Sequence, residues 1–205
     1  MSCNPIHSDS ENKLLAVVMC GGKSLRMGTD KGLMKTGAKT WVEQAVDKLE
    51  ALHASIYISI NDSQFDEYKE LFPLEQLVFD EVDVPGPLCG LLSAHSKFPD
   101  HDLLIMACDM QDIKDETLST LKSIYEDKAG EHDFMVFSNQ GEMEPLLGVY
   151  TAEGLAKVFK LFLARKLERF SMKHVLEIGN TYIAELMPVQ YEEFRNYNEK
   201  SDIGK

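Results

Sequence analysis

The chain has 205 residues, 44% hydrophobic and 27% charged, the balance of one soluble globular domain able to close a core without disulfide or metal staples. Its formal net charge of -13 excludes the extended basic surface that binding along a nucleic acid requires, and no stretch approaches the ~20 apolar residues of a membrane helix. Cys3, Cys20, Cys89 and Cys108 form no C-x-x-C pair and read as the reduced thiols of a cytoplasmic protein.

Residues 1–13 read as a polar N-terminal extension without a signal-peptide core, and residues 14–205 as the folded domain. Leu14 to Met19 is a continuous apolar run, β-branched at Val17 and Val18, as in a strand buried on both faces of a parallel sheet. A glycine-rich basic loop follows. Between Gly21 and Thr40 stand five cations, Lys23, Arg26, Lys31, Lys35 and Lys39, against one acid, Asp30. A positive patch on an acidic chain suits a small polyanion, and glycines after a first strand let the backbone approach phosphate. The loop is not a Walker loop, because the required first glycine falls on Val17, nor a G-x-G-x-x-G dinucleotide turn, because Gly21, Gly22 and Gly28 are spaced otherwise.

Thr40 and Glu43 form a capping box for a helix running to about Leu52. Ser55 to Ile60 alternates as a second strand, and Asn61 opens a short helix ending near Phe72. Leu77 to Asp80 is a third strand with an acid at its carboxyl end, and the turn Pro85-Gly86-Pro87 starts a helix through about Lys97. Asp102 to Cys108 is a buried strand that delivers Asp109 to the edge where the glycine loop leaves the sheet. Next come a helix carrying Leu118, Leu121 and Ile124, a strand from Asp133, a turn at Asn139-Gln140-Gly141 and a returning strand from Glu144 to Tyr150. Thr151 caps a helix whose end carries Arg165, Lys166 and Arg169, placed either for a substrate phosphate or to offset the helix dipole. Tyr182 to Val189 reads as a last strand. Parallel strands with helical crossovers make an α/β domain.

The run from Gly21 through Gly22, Lys23, Ser24, Leu25, Arg26, Met27, Gly28, Thr29 and Asp30 to Lys31 resembles the G-G-x-S-x-R-M-G-x-D-K signature of the molybdenum cofactor guanylyltransferases and their MobA-like nucleotidyltransferase relatives. Met19-Cys20 stand where that family usually has Leu-Ala. The segment from Asp80 to Pro85-Gly86-Pro87-Leu88-Cys89-Gly90 is similar to the family's nucleoside-lining segment. Cys108-Asp109 keeps the core of a Pro-Cys-Asp-x-Pro motif, with Ala107 and Gln111 in place of the prolines. Phe194, Asn196, Asn198 and Asp202 fit an F-x-N-x-N-T-P-E-D ending, while Glu199, Lys200 and Ser201 depart from it.

The resemblance implies a single three-layer domain with a mostly parallel sheet, the Rossmann-like nucleotidyltransferase fold, over 14–205. It implies a cytoplasmic enzyme that transfers GMP from GTP to molybdenum-molybdopterin. GTP would be bound by Met19, Cys20, Gly21, Gly22, Arg26, Lys31, Asp80, Gly86, Pro87 and Asp109. Arg26, Lys31 and Asp109 would be catalytic, and Mg²⁺ would be held by Asp109 with Asn198. Cofactor-delivery proteins or apo-molybdoenzymes would receive the product. The rival readings are a cytidylyltransferase acting on the same cofactor or another small-molecule nucleotidyltransferase, a non-catalytic nucleotide-binding delivery protein, and an interaction protein whose acidic surface is its function. No Ser-His-Asp or Cys-His arrangement is signalled, and phosphoryl-type transfer asks chiefly for positioning and charge.

Overall fold

The computed structural model describes residues 13–21, 30–128, 130–195 and 197. Strand β1 (Leu14–Met19) is buried along its whole length. It is followed by a small hairpin of β2 (Lys35–Thr36) and β3 (Lys39–Thr40), then α1 (Trp41–Glu50), β4 (Ser55–Ile60), the short helix α2 (Phe65–Tyr68), β5 (Leu77–Phe79) and α3 (Pro87–Lys97). The second half runs β6 (Asp102–Ala107), α4 (Asp115–Lys128), β7 (Phe134–Asn139), β8 (Glu142–Tyr150), α5 (Ala152–Leu163), α6 (Met172–Ile178) and β9 (Thr181–Glu185). Among the described residues no helix is long and apolar enough to cross a membrane.

Among the described residues, seven strands form one sheet in the order β5-β4-β1-β6-β8-β7-β9. β1 pairs in parallel with both β4 and β6, whereas β8 runs antiparallel to β6 and β7. The chain builds outward from β1 on one side through β4 and β5, then crosses by α3 to β6 on the other. The gap beyond the carboxyl ends of β1 and β6 is therefore the topological switch point where open α/β sheets bind ligands.

The sheet separates two apolar cores. On one face β1 contributes Leu14, Ala16 and Val18, which pack with Val42, Ala45 and Leu49 of α1 and Leu118 and Leu121 of α4. On the other, Leu15, Val17 and Met19 pack with Leu88, Leu91 and Leu92 of α3, Leu155 and Val158 of α5, and Val175 of α6. Alternate residues of one strand thus feed opposite cores, which is why β1 carries no polar side chain. The three-layer, mostly parallel α/β arrangement expected from the sequence is present.

Several boundaries differ from expectation. The helix expected after Asn61 is a 3-10 turn at Asp62–Gln64 leading into the four-residue α2, because Asn61 and Gln64 close a capping box at once. The last strand spans Thr181–Glu185 rather than reaching Val189; Pro188 instead starts a 3-10 turn, Pro188–Phe194. Helix α6 is additional to the expected elements; Ser171 caps it by accepting from the His174 N–H at 3.2 Å.

Candidate nucleotide site at the carboxyl edge of the sheet

Register places Met19 beside Ala107, so Cys20 and Cys108 leave the sheet together. Both thiols are buried, and burial followed by the hydrogen bond to Cys108 pushes the Cys20 thiol well above its ordinary range. A thiol held protonated in this way is packing material rather than a nucleophile.

Lys31, beyond the glycine loop, meets Asp109, beyond β6. The Lys31 Nζ lies 2.9 Å from Asp109 Oδ2, with side chains 26% and 15% exposed. The pair is partly desolvated yet open to solvent on one side, so each charge can be handed to an incoming ligand. Lys31 is preceded by Asp30, whose Oδ1 accepts from the Gly32 N–H at 2.8 Å and from the Tyr68 hydroxyl at 3.2 Å. Gln64 ties Asp30 to the end of β1, donating from Nε2 both to the Asp30 carboxylate and to the Cys20 carbonyl, the latter at 3.1 Å. Asp30 is thereby held beside the end of β1 immediately before Lys31, and Gln64 and Tyr68 are supporting residues that the sequence does not single out.

Gly21 acts through its missing side chain. The N–H groups of Cys20 and Gly21 both donate to the Ser59 carbonyl at 3.0 Å, so these two amides are committed to β4 and not turned toward a ligand. The Gly21 amide thus bonds to Ser59, while Gly22 lies outside the described residues. A Cβ on Gly21 would stand 2.3 Å from Asp80 Oδ2, so glycine is what admits the Asp80 carboxylate beside the strand end. Asp80 Oδ1 accepts from the Ser59 hydroxyl at 2.9 Å, and burial raises the Asp80 pKa from its ordinary value. Gly90 of α3 is required for the same reason, since its Cβ would lie 2.3 Å from Ser59 Oγ and 2.8 Å from Met19 Cε.

Gly86, at φ 72°, is the residue before α3, with Pro87 in the first turn. The Ser93 hydroxyl accepts from the N–H groups of Glu81 and Val82 at 2.8 and 3.0 Å and holds the intervening loop against α3. The α3 amino terminus therefore faces the rim with its backbone N–H groups, a favourable setting for negative charge. Beside it lies a groove of about 240 Å³ lined by Gly86, Pro87, Pro145, Phe170, Met172 and Lys173. Pro145 reaches it because β8 bulges: Val136 pairs with Gly148 but Phe137 with Glu144, leaving Pro145, Leu146 and Leu147 without partners on β7.

Of the expected site residues, Met19, Cys20, Gly21, Lys31, Asp80, Gly86, Pro87 and Asp109 all lie at this rim. Gly22, Arg26 and Asn198 lie outside the described residues. Arg169 points elsewhere, pairing with Glu177 and with the His174 ring, the latter at 3.0 Å, so it serves α6. A larger cleft of about 450 Å³, lined by Asp102, His132, Asp133 and Asn180, sits at the opposite edge of the sheet.

A family model described as "MobA-like NTP transferase domain" matches residues 16–178. The chain is 30% identical over 138 residues to a probable molybdenum cofactor guanylyltransferase of Flavobacterium johnsoniae, covering 67% of this chain and 68% of that one. It is 29% identical over 197 residues to a probable molybdenum cofactor guanylyltransferase of Pyrococcus horikoshii, covering 93% and 97%. The fold is shared with a molybdopterin-guanine dinucleotide biosynthesis protein A of Archaeoglobus fulgidus, at a TM-score of 0.72 and 21% identity over 92% of this chain and 94% of that one. It is shared also with a 4-diphosphocytidyl-2C-methyl-D-erythritol synthase of Anaerococcus prevotii, at 0.69 and 10% identity over 93% and 92%. The glycine-basic loop and the strand-end acid that meets Lys31 thus sit in a chain that belongs to the MobA-like NTP transferase family, a family of nucleotidyltransferases.

Proposed function

We propose that this protein transfers GMP from GTP to the terminal phosphate of molybdenum-molybdopterin, forming molybdopterin guanine dinucleotide and releasing pyrophosphate. The observation that carries the reading is the Lys31–Asp109 pair at the switch point, 2.9 Å apart. A triphosphate arriving with its metal can exchange partners with this pair: Lys31 turns to phosphate oxygen and Asp109 to the cation. A single strand-end carboxylate fits Mg²⁺, which usually keeps several waters and shares one or two protein carboxylates with substrate phosphates. Bound there it supplies Lewis-acid polarisation of the phosphoryl oxygens.

The chain's own residues do the rest. The acceptor phosphate oxygen forms a new bond to the α-phosphorus as the bridging bond to the β-phosphate breaks, and the charge building on the departing pyrophosphate is met by Lys31, with Arg26 carried over from the family motif. Asp80 lines the nucleoside end. A carboxylate only accepts hydrogen bonds, which suits the adjacent N1–H and N2–H₂ donors of guanine better than the N3 and O2 acceptors of cytosine. Gly86 and Pro87 border the same end. The product passes to an apo-molybdoenzyme or a delivery protein in the cytoplasm, a reducing compartment that suits the free thiols of Cys20, Cys89 and Cys108.

The test is pyrophosphate release with molybdenum-loaded molybdopterin as acceptor, comparing GTP with CTP and magnesium with none. GTP-specific, magnesium-dependent release is expected. Asp109→Asn and Lys31→Ala should each stay folded and lose about 10²- to 10³-fold in rate. GTP binding without release, or equal release from CTP, would overturn the assignment.

A further inference from the structure

The turn that carries Asp109 lacks both flanking prolines of its motif, with Ala107 and Gln111 in their places, and a carboxylate that must meet a cation cannot sit on a slack loop. Two side chains supply the stiffness that the prolines do not. Gln111 folds back, donating from Nε2 to the Cys108 carbonyl at 2.6 Å and to the Trp41 carbonyl at 3.4 Å. Tyr197, 85 positions beyond Asp112 in the chain, grips the turn at both ends. Its N–H donates to the Asp109 carbonyl at 3.4 Å, and its hydroxyl donates to the Asp112 carboxylate.

The Tyr197 ring is itself held. It packs edge-on to Trp41, with centroids 6.3 Å apart at 64°, and both residues are buried, at 3% and 0% exposure. Trp41 belongs to the other half of the site: its N–H donates to the Met34 carbonyl at 2.8 Å, the next N–H, of Val42, to the Gly32 carbonyl at 3.0 Å, and its indole N–H to Thr36 Oγ1 at 2.9 Å. Tyr197 therefore bridges the segment carrying Lys31 and the turn carrying Asp109.

From these contacts we propose that Tyr197 is a positioning residue, a strap whose hydroxyl bond to Asp112 and edge contact with Trp41 fix the Asp109 carboxylate for metal-nucleotide binding. The inference rests on the reading of Asp109 as the metal-holding acid. Losing a group that orients a metal ligand commonly costs about 10- to 100-fold in metal affinity, so the strap should be visible as binding rather than as folding.

The experiment measures Mn²⁺ binding in the presence of GTP by electron paramagnetic resonance, with thermal unfolding alongside. Tyr197→Phe keeps the ring and removes the hydroxyl; Asp112→Asn removes the charge of its partner. Each is expected to weaken Mn²⁺–GTP binding about tenfold with an unfolding midpoint like that of the unaltered chain, and the double variant should be no weaker than either single one. Because Trp41 is the sole tryptophan, Tyr197→Ala should also shift its emission. Unchanged Mn²⁺–GTP binding in both single variants, or unchanged Trp41 emission in Tyr197→Ala, overturns the strap alone. Failure of the unaltered chain to bind Mn²⁺ with GTP overturns the function proposed above and the strap with it.

Discussion

At the scale of single residues, the site is governed as much by side chains that are missing as by those present. A methyl group at Gly21 would force the Asp80 carboxylate off its bond to Ser59, since the two would stand 2.3 Å apart. Gly21→Ala should therefore raise the KM for GTP with little change in unfolding midpoint, because a short side chain can swing aside. Asp80→Asn tests the base contact proposed for this carboxylate: it replaces one acceptor oxygen with a donor, and steady-state comparison should show the preference for GTP over CTP narrowing about tenfold or more. Much of this site is legible in the sequence. Lys31 and Asp109 can be expected to meet because two apolar runs each lead to a polar loop at one sheet edge. Gln64 and Tyr197 cannot be found that way, because each acts through a side-chain bond to a residue tens of positions away, and neither lies in a pattern of fixed spacing.

At the scale of elements, local sequence chemistry sets most boundaries. Thr40 and Glu43 cap α1 reciprocally: the Thr40 N–H donates to Glu43 Oε2 at 2.7 Å, and the Glu43 N–H donates to Thr40 Oγ1 at 3.3 Å. The bond from the Thr40 hydroxyl, followed by that from its N–H, holds the Glu43 carboxyl below its ordinary pKa. Thr40→Ala should cost about 1 kcal/mol in chemical denaturation, most of it expressed above pH ~4.3, where Glu43 is ionised in the unfolded chain too. A shift under a few tenths would mean that α1 does not depend on the box. Boundaries that the sequence does not show are those where tertiary packing decides: β9 stops at Glu185 although the apolar character continues, since Met187 and Val189 are exposed and Pro188 begins a turn. Helix α6, of seven residues, is too short for a periodic signal and exists because Val175 and Leu176 are buried under the sheet.

At the scale of the whole molecule, the layer of α3 and α5 carries a histidine that sets how stability depends on acidity. His95 is 4% exposed, packs edge-on to Phe159 at 5.8 Å, and its Nδ1 has no partner among the described residues. Burial holds its pKa below the ordinary value against the weaker upward pull of Asp100. The unfolded chain takes up a proton near pH ~6.5 that the folded protein still refuses, so stability is full above that pH and falls as the pH drops toward the folded value. The slope from this group is at most about 1.4 kcal/mol per pH unit. His95→Leu should flatten the curve of unfolding midpoint against pH below about 6.5; an unchanged slope would mean that other groups set it.

Strand β8, antiparallel to both its neighbours, has its own reach. Asn139 and Glu142 close a two-residue turn with Gln140 and Gly141 at φ 54° and 84°, the mirror-image geometry that suits a hairpin. This tip projects at the catalytic end of the sheet with no helix to thread, and the ladder behind it is already broken by the β8 bulge. Extra residues grafted there would lengthen a rim finger without altering either core. That makes the hairpin a natural evolutionary handle for reshaping the rim while the sheet and its two cores stay as they are.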